Sequence, residues 1–196
     1  MIEVGLLGSI VVQVEDNRVE LAGVLEKALL ARLSLSPGSD VSQSRLIDDL
    51  WGETLPTNAV GSLQTLVYRL RKALGPAGSA ISRTDNGYRL DAPPQQIDAA
   101  KFGLLVDRAR QVLLSGQPNR RTLLGEALSL WRGPALTGLD SVPFVAAQRA
   151  GLEAARMCAL EERIDADLQA GAGAELVPEL EGLVGENPFN EGLWGI

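Results

Sequence analysis

Periodicity along the chain changes once, at APPQQ, Ala92 to Gln96. Before it, Ile2 to Glu15 alternates loosely and is rich in Val, Ile and Leu, as a strand pair would be, and Arg18 to Leu21 is expected to add a third strand. Helical spacing then takes over from Leu25 to Leu35, ending at the turn cluster SPGSD. Ser42 can cap a short helix through Trp51, with Gly52 to stop it, and Pro56 and Thr57 open a long helix that Gly75 and Pro76 end. Two short strand-like runs follow, around Asn86-Gly87, whose tolerance of positive φ marks a hairpin turn. The first 91 residues therefore read as sheet, three helices and hairpin. The two prolines of APPQQ suit neither a strand ladder nor a helix interior, so residues 92–96 read as a linker. Beyond it only helical spacing remains, broken at SGQPN, RGPALTGLDSVP, AGAGA and ENP. Residues 97–196 are thus expected to form an all-α domain of stacked helix pairs.

The 196 residues are enough for two domains of ordinary size. The absence of histidine removes the commonest general base and the commonest neutral metal ligand, and no glycine motif of the phosphate-cradling kind occurs. Cys158 is the single cysteine, has no partner for a metal or redox pair, and is expected to be a small buried hydrophobe. Glu161, Glu162, Asp165 and Asp167 are the best carboxylate cluster, but they read as a solvated helix face with pairs such as Glu161 and Asp165. No catalytic set, cofactor or metal is expected. The apolar N-terminus lacks a preceding Lys or Arg, contains Glu3 and is interrupted by Gly5 and Gly8. It reads as strands rather than a signal peptide or membrane span, which places the protein in the cytoplasm by default.

LQTLVYRLRKALG, Leu63 to Gly75, carries the functional argument. At about 100° per residue, Leu63, Leu66, Val67, Leu70 and Leu74 share one arc, and Gly61, Gln64, Thr65, Tyr68, Arg71 and Lys72 the other. A solvated amphipathic helix would show the same split. Yet Gln and Thr can bond base edges, Tyr can stack or reach a phosphate, and Arg and Lys neutralise phosphates. Two helices before it and a hairpin after it give the order of a winged helix, with this helix in the major groove. The formal net charge is -7, but Thr57 to Leu90 holds five basic residues and one acidic, a local +4 that leaves -11 elsewhere. Acidic bulk with one basic face confines contact with DNA to that face and makes it strongly salt-dependent.

VGLLGSIVV, SRLIDDLWGETLP, LQTLVYRLRKALG, NGYRL, IDAAKFGLLV, LWRGPALTGL and NPFNEGLWG, in that order, resemble the SARP/AfsR class of actinobacterial transcription regulators across essentially the whole chain. The resemblance implies an α+β OmpR-like winged helix followed by an all-α, TPR-like bacterial transcriptional activation domain. It implies a regulator that binds direct repeats in promoter DNA as a homodimer and recruits RNA polymerase, with secondary metabolism the common target. It maps the recognition helix to Thr57 through Leu74, groove-facing positions to Gln64, Thr65 and Tyr68, and phosphate ligands to Arg69, Arg71, Lys72 and, at the wing, Arg83. Tyr88, Trp51 and Trp131 resemble packing aromatics.

Three departures stand out. The wing loop from Arg83 to Gly87 is one residue longer than usual, and LAGVLEKALLARL lacks the Gly-Pro-Lys-Gln that leads into the first helix of the class. The helical domain of the class continues further, so the second domain is expected to be incomplete at Ile196. The rival reading is an interaction or dimerisation module whose winged helix no longer binds DNA.

Overall fold

The computed structural model describes residues 1–115 and 120–186. β1 (Ile2–Gly5) and β2 (Val11–Val14) pair antiparallel, with Ile2 opposite Val14 and Val4 opposite Val12. The pleat sorts them: Ile2, Val4, Val12 and Val14 are buried, while Glu3 and Gln13, paired between them, face outward. β3 is only Asn17–Arg18, shorter than the expected Arg18 to Leu21. The Val19 N–H still reaches the Val12 carbonyl at 2.9 Å, and Leu21 then turns into the core.

α1 (Val24–Ser34), α2 (Gln43–Trp51) and α3 (Ala59–Ala73) follow. Ser42 caps α2 as its position implies, its hydroxyl accepting from the Arg45 N–H at 3.2 Å, and Gly52 ends it at φ 54°. Leu29, Leu30 and Leu33 of α1, Leu46 of α2, and Leu63 and Leu70 of α3 are fully buried. Between α1 and α2 lies the buried carboxylate of Asp49, which accepts from Arg32 at 2.5 Å and Arg45 at 3.0 Å. A buried carboxylate without such donors would be strongly destabilising.

The hairpin β5 (Ile81–Arg83) and β6 (Gly87–Leu90) joins a two-residue β4 (Val41–Ser42) in the order β4-β6-β5. The turn is centred on Asp85-Asn86, one residue earlier than expected, with Gly87 already the first residue of β6, and neither Asn86 nor Gly87 has positive φ. Gly87 is needed for a different reason: a Cβ there would overlap the Val41 carbonyl oxygen and crowd Ser42. The glycine lets β4 lie against the wing.

Residues 130–144 form no helix and run as a strap along the N-terminal sheet. Arg132, Leu136 and Thr137 donate their N–H groups to the carbonyls of Leu7 (2.8 Å), Leu6 (2.9 Å) and Gly8 (3.0 Å). Leu136 is fully buried at φ 56°, a left-handed conformation that costs a branched residue about 1–2 kcal/mol. Arg149 holds it there, donating to the carbonyls of Ala135 (2.7 Å) and Leu136 (3.1 Å). The same guanidinium holds the Asp140 carboxyl below the usual carboxylate range, so this contribution is complete above that range and fades as pH falls through the lowered value. At its far end the strap reaches α2, with the Phe144 N–H on the Asp49 carbonyl at 3.3 Å and Pro143 against Gly52.

Asp98, the first residue of α4 (Asp98–Ser115), joins these parts. Its carboxylate accepts from the N–H groups of Leu6 (2.6 Å) and Leu7 (3.1 Å) and from Arg132 (2.8 Å), while Arg132 also donates to the Ser9 carbonyl at 3.1 Å. One compact unit is therefore Met1–Lys101 with Leu130–Leu152, and the other is Phe102–Ser129 with Glu153 onward. The linker expected at 92–96 marks a change of secondary structure, and packing divides the chain elsewhere.

The second unit contains most of α4, then α5 (Arg120–Ser129), most of α6 (Val145–Gln169) and α7 (Gly173–Glu186). The expected break at AGAGA separates α6 from α7, whereas those at SGQPN and ENP fall mostly or wholly outside the described residues. Ile164 and Leu176 centre the α6/α7 core, with Met157, Leu160 and Leu180 against them. The acidic cluster is only in part the solvated face expected: Asp165 is exposed, but Glu161 and Glu162 are half-buried and Asp167 is buried. Glu162 accepts from Arg110 of α4 at 2.9 Å and Asp165 from Arg120 of α5 at 3.0 Å. Asp167 is buried and bonds Arg121 and Arg163, and Arg163 also donates to Glu179 of α7 at 2.5 Å. These ion pairs tie four helices together. Cys158 is exposed rather than buried, because Ala159, one residue on, takes the inward position. Among the described residues no helix is long and apolar enough to cross a membrane.

Asp98→Ala removes the acceptor of two backbone N–H groups and of Arg132, and is expected to cost about 2–4 kcal/mol, read as a lower urea midpoint. Gly87→Ala is expected to cost about 1–3 kcal/mol through overlap with Val41, with Gly103→Ala, where a Cβ meets nothing within 4 Å, as the control.

Candidate nucleic-acid interface

α3 begins where Asn58 can cap it, the side-chain carbonyl accepting from the Gly61 N–H at 2.9 Å. A Cβ on Gly61 would crowd that cap, which explains a glycine in the first turn. Thr57, expected inside the helix, lies exposed in the turn before it. Leu63, Leu66, Val67, Leu70 and Leu74 are buried on one side. Gln64, Thr65, Tyr68, Arg69 and Lys72 are exposed on the other, with Tyr68 at 66%.

The exposed side chains differ in what they can still do. Thr65 donates its hydroxyl proton to the Gly61 carbonyl at 2.9 Å, so it faces outward as an acceptor and a methyl group. Gln64 offers both donor and acceptor. Arg71 differs from its expected placement: it is half-buried, and both Nε and Nη2 donate to the Ile81 carbonyl of the wing, at 3.0 Å and 2.6 Å.

Arg83 ends β5, exposed and opposite Tyr88, and the four-residue turn beyond it is closed by the Thr84 N–H on the Gly87 carbonyl (3.0 Å) and the Gly87 N–H on the Thr84 hydroxyl (3.1 Å). The longer loop is thus an ordered turn. Tyr88 and Trp131 are buried, and Trp51 is half-buried at the end of α2. Arg89, counted in the local positive charge, is bound to Asp91 at 2.6 Å and Asp40 at 3.3 Å, so its charge is largely neutralised. Among the described residues Arg69, Lys72 and Arg83 have no acidic partner. The pairing of Asp40 with Arg89 and the bracing by Arg71 carried no sequence signal, because both partners are distant in the chain.

Comparison with known proteins follows this architecture. Residues 17–90 match the family described as Transcriptional regulatory protein, C terminal, and residues 97–196 match the Bacterial transcriptional activator domain. The chain is similar to the transcriptional regulator RedD of Streptomyces coelicolor, 32% identical over 97% of this chain and 56% of that protein. It is 35% identical to the regulatory protein AfsR of the same organism over 96% of this chain and 19% of that one, and 29% identical to the regulatory protein DnrI of Streptomyces peucetius over 98% and 74%. Among solved structures, Mycobacterium tuberculosis EmbR, in complex with a low affinity phosphopeptide, superposes with a TM-score of 0.92 at 29% identity over 98% of this chain and 52% of that one. The chain thus spans from a fifth to three quarters of the length of these relatives. With both family matches in this order on a winged helix followed by a helical domain, the chain belongs to the SARP/AfsR class of transcription regulators.

Proposed function

We propose that the chain is a sequence-specific DNA-binding regulator, an activator, that reads promoter repeats through α3 and the β5–β6 wing. One observation carries this reading: α3 buries one face and leaves Gln64, Thr65, Tyr68, Arg69 and Lys72 exposed on the other, with Arg83 on the adjoining wing and no carboxylate paired to any of the three cations among the described residues. Gln64, Thr65 and Tyr68 face base edges, while Arg69, Lys72 and Arg83 meet phosphates. Thr57, exposed just before the cap, lies where the backbone approaches the duplex. Residues 1–91 form the reader, and residues 97–196 form the domain that contacts RNA polymerase or a second copy of the chain. Two copies on a direct repeat, acting in the cytoplasm on genes of secondary metabolism, complete the proposal. The match of residues 97–196 to a bacterial transcriptional activator domain supports the polymerase contact.

Fluorescence anisotropy with promoter DNA from beside its own gene, against a scrambled duplex at two salt concentrations, tests it. Sequence-dependent binding that weakens steeply with salt is expected. Equal affinity for both duplexes would leave the winged helix as an interaction module. In the same assay Gln64→Ala is expected to relax preference at one base position by about 1–3 kcal/mol, whereas Lys72→Ala is expected to weaken binding to every sequence and flatten the salt slope by about one.

A further inference from the structure

We propose that Arg71 is a positioning residue: it fixes the wing to the recognition helix and thereby sets where Arg83 stands, instead of binding phosphate itself. This rests on the DNA-reading function above. In the β5–β6 ladder the Asp91 N–H donates to the Ala80 carbonyl at 2.7 Å and the Thr84 N–H to the Gly87 carbonyl at 3.0 Å. Antiparallel strands alternate bonded and unbonded positions, so residues 80, 82 and 84 turn their carbonyls to β6 and Ile81 turns its own away. β5 is the edge of its sheet, which leaves the Ile81 carbonyl as an open-edge acceptor on a residue only 1% exposed. Arg71 fills that edge with two of its donors, at 3.0 Å and 2.6 Å.

The backbone of Arg71 is used as well. Residues 75–80, the 3-10 turn joining α3 to β5, lie against it so closely that a Cβ on Gly78 would overlap the Arg71 carbonyl oxygen. Arg71 thus meets the connection twice, through its backbone at Gly78 and through its side chain at Ile81. Arg83 lies two residues beyond Ile81 on a three-residue strand, about 7 Å along. Among the described residues no other side-chain hydrogen bond joins α3 to the wing, so the place of the Arg83 guanidinium depends on the Arg71 fork.

A double-mutant cycle in the anisotropy salt series tests this with Arg71→Ala, Arg83→Ala and the pair on one promoter duplex. One phosphate contact contributes about 0.9 to the slope of log K against log salt. If Arg71 acts through Arg83, each single change removes about one contact and the pair removes no more; additive losses would make Arg71 an independent ligand and overturn the proposal. Should Arg71→Ala fail to fold, Arg71→Lys takes its place, since it keeps the charge but not the fork. It is expected to shrink the effect of Arg83→Ala, and an undiminished effect would overturn the proposal. Amide hydrogen exchange on the free protein separates this inference from the function it rests on. Exchange at Ser82 and Thr84, whose N–H groups face β6, is expected to rise with the Arg71 variant and not with Arg83→Ala. Unchanged exchange in both refutes the bracing role, whereas a wild-type chain that does not bind DNA refutes the functional reading.

Discussion

Two buried backbone N–H groups, those of Leu6 and Leu7, find their acceptor in the carboxylate of Asp98, about ninety residues away in the chain. Unpaired donors among fully buried leucines would each carry the full cost of desolvation. Much else follows from that placement. Asp98 orients Arg132, Arg132 seats the strap on the Ser9 carbonyl, and the strap continues to the Asp49 carbonyl at the end of α2. α2 in turn leads through Gly52 to the turn that opens α3. The position of the polar row on α3 is therefore supported by residues on both sides of the 92–96 segment, and a unit cut there would lose the acceptor of the two N–H groups that follow its first strand.

This explains why the match to the activator-domain family begins at residue 97 while the packed unit extends to Lys101 and takes back Leu130–Leu152. Family boundaries follow what recurs along the chain. Packing follows where buried polar groups find partners. Leu136 makes the same point, since its left-handed backbone is tolerated only because Leu6 and Arg149 bond its peptide groups on either side.

Much of the fold was legible because periodicity and capping act over a few residues. The three helices, the Ser42 cap, the apolar arc of α3 and, to within one residue, the wing turn are each set by neighbours within four positions. What was not legible depends on distant partners. A two-residue strand such as β4 has no pattern to detect, and Gly87 looked like a turn residue when its actual constraint is the Val41 carbonyl across the sheet. Glu162 and Asp165 read as solvated because their donors, Arg110 and Arg120, lie some fifty residues away on other helices. For α3 the sequence placed the exposed row correctly but could not say that Arg71 within it is already bound.

That last distinction changes the electrostatic picture. The chain has 18 basic residues, yet Arg32, Arg45, Arg89, Arg110, Arg132 and Arg163 are each held by a carboxylate, and Arg71 by a carbonyl. At the α3 and wing surface Arg69, Lys72 and Arg83 remain as cations without an acidic partner among the described residues. Three phosphate contacts give a salt slope of only about -2.7, small for a protein whose net charge of -7 repels the duplex at long range. Nonspecific attraction through one such face is weak, so in the proposed complex the directional contacts of Gln64, Thr65 and Tyr68 would have to supply a large share of the affinity. In the proposed complex a second copy on an adjacent repeat would double the number of phosphates met and of bases read without adding nonspecific charge to either chain, so this charge arrangement would favour a pair of sites over a single one.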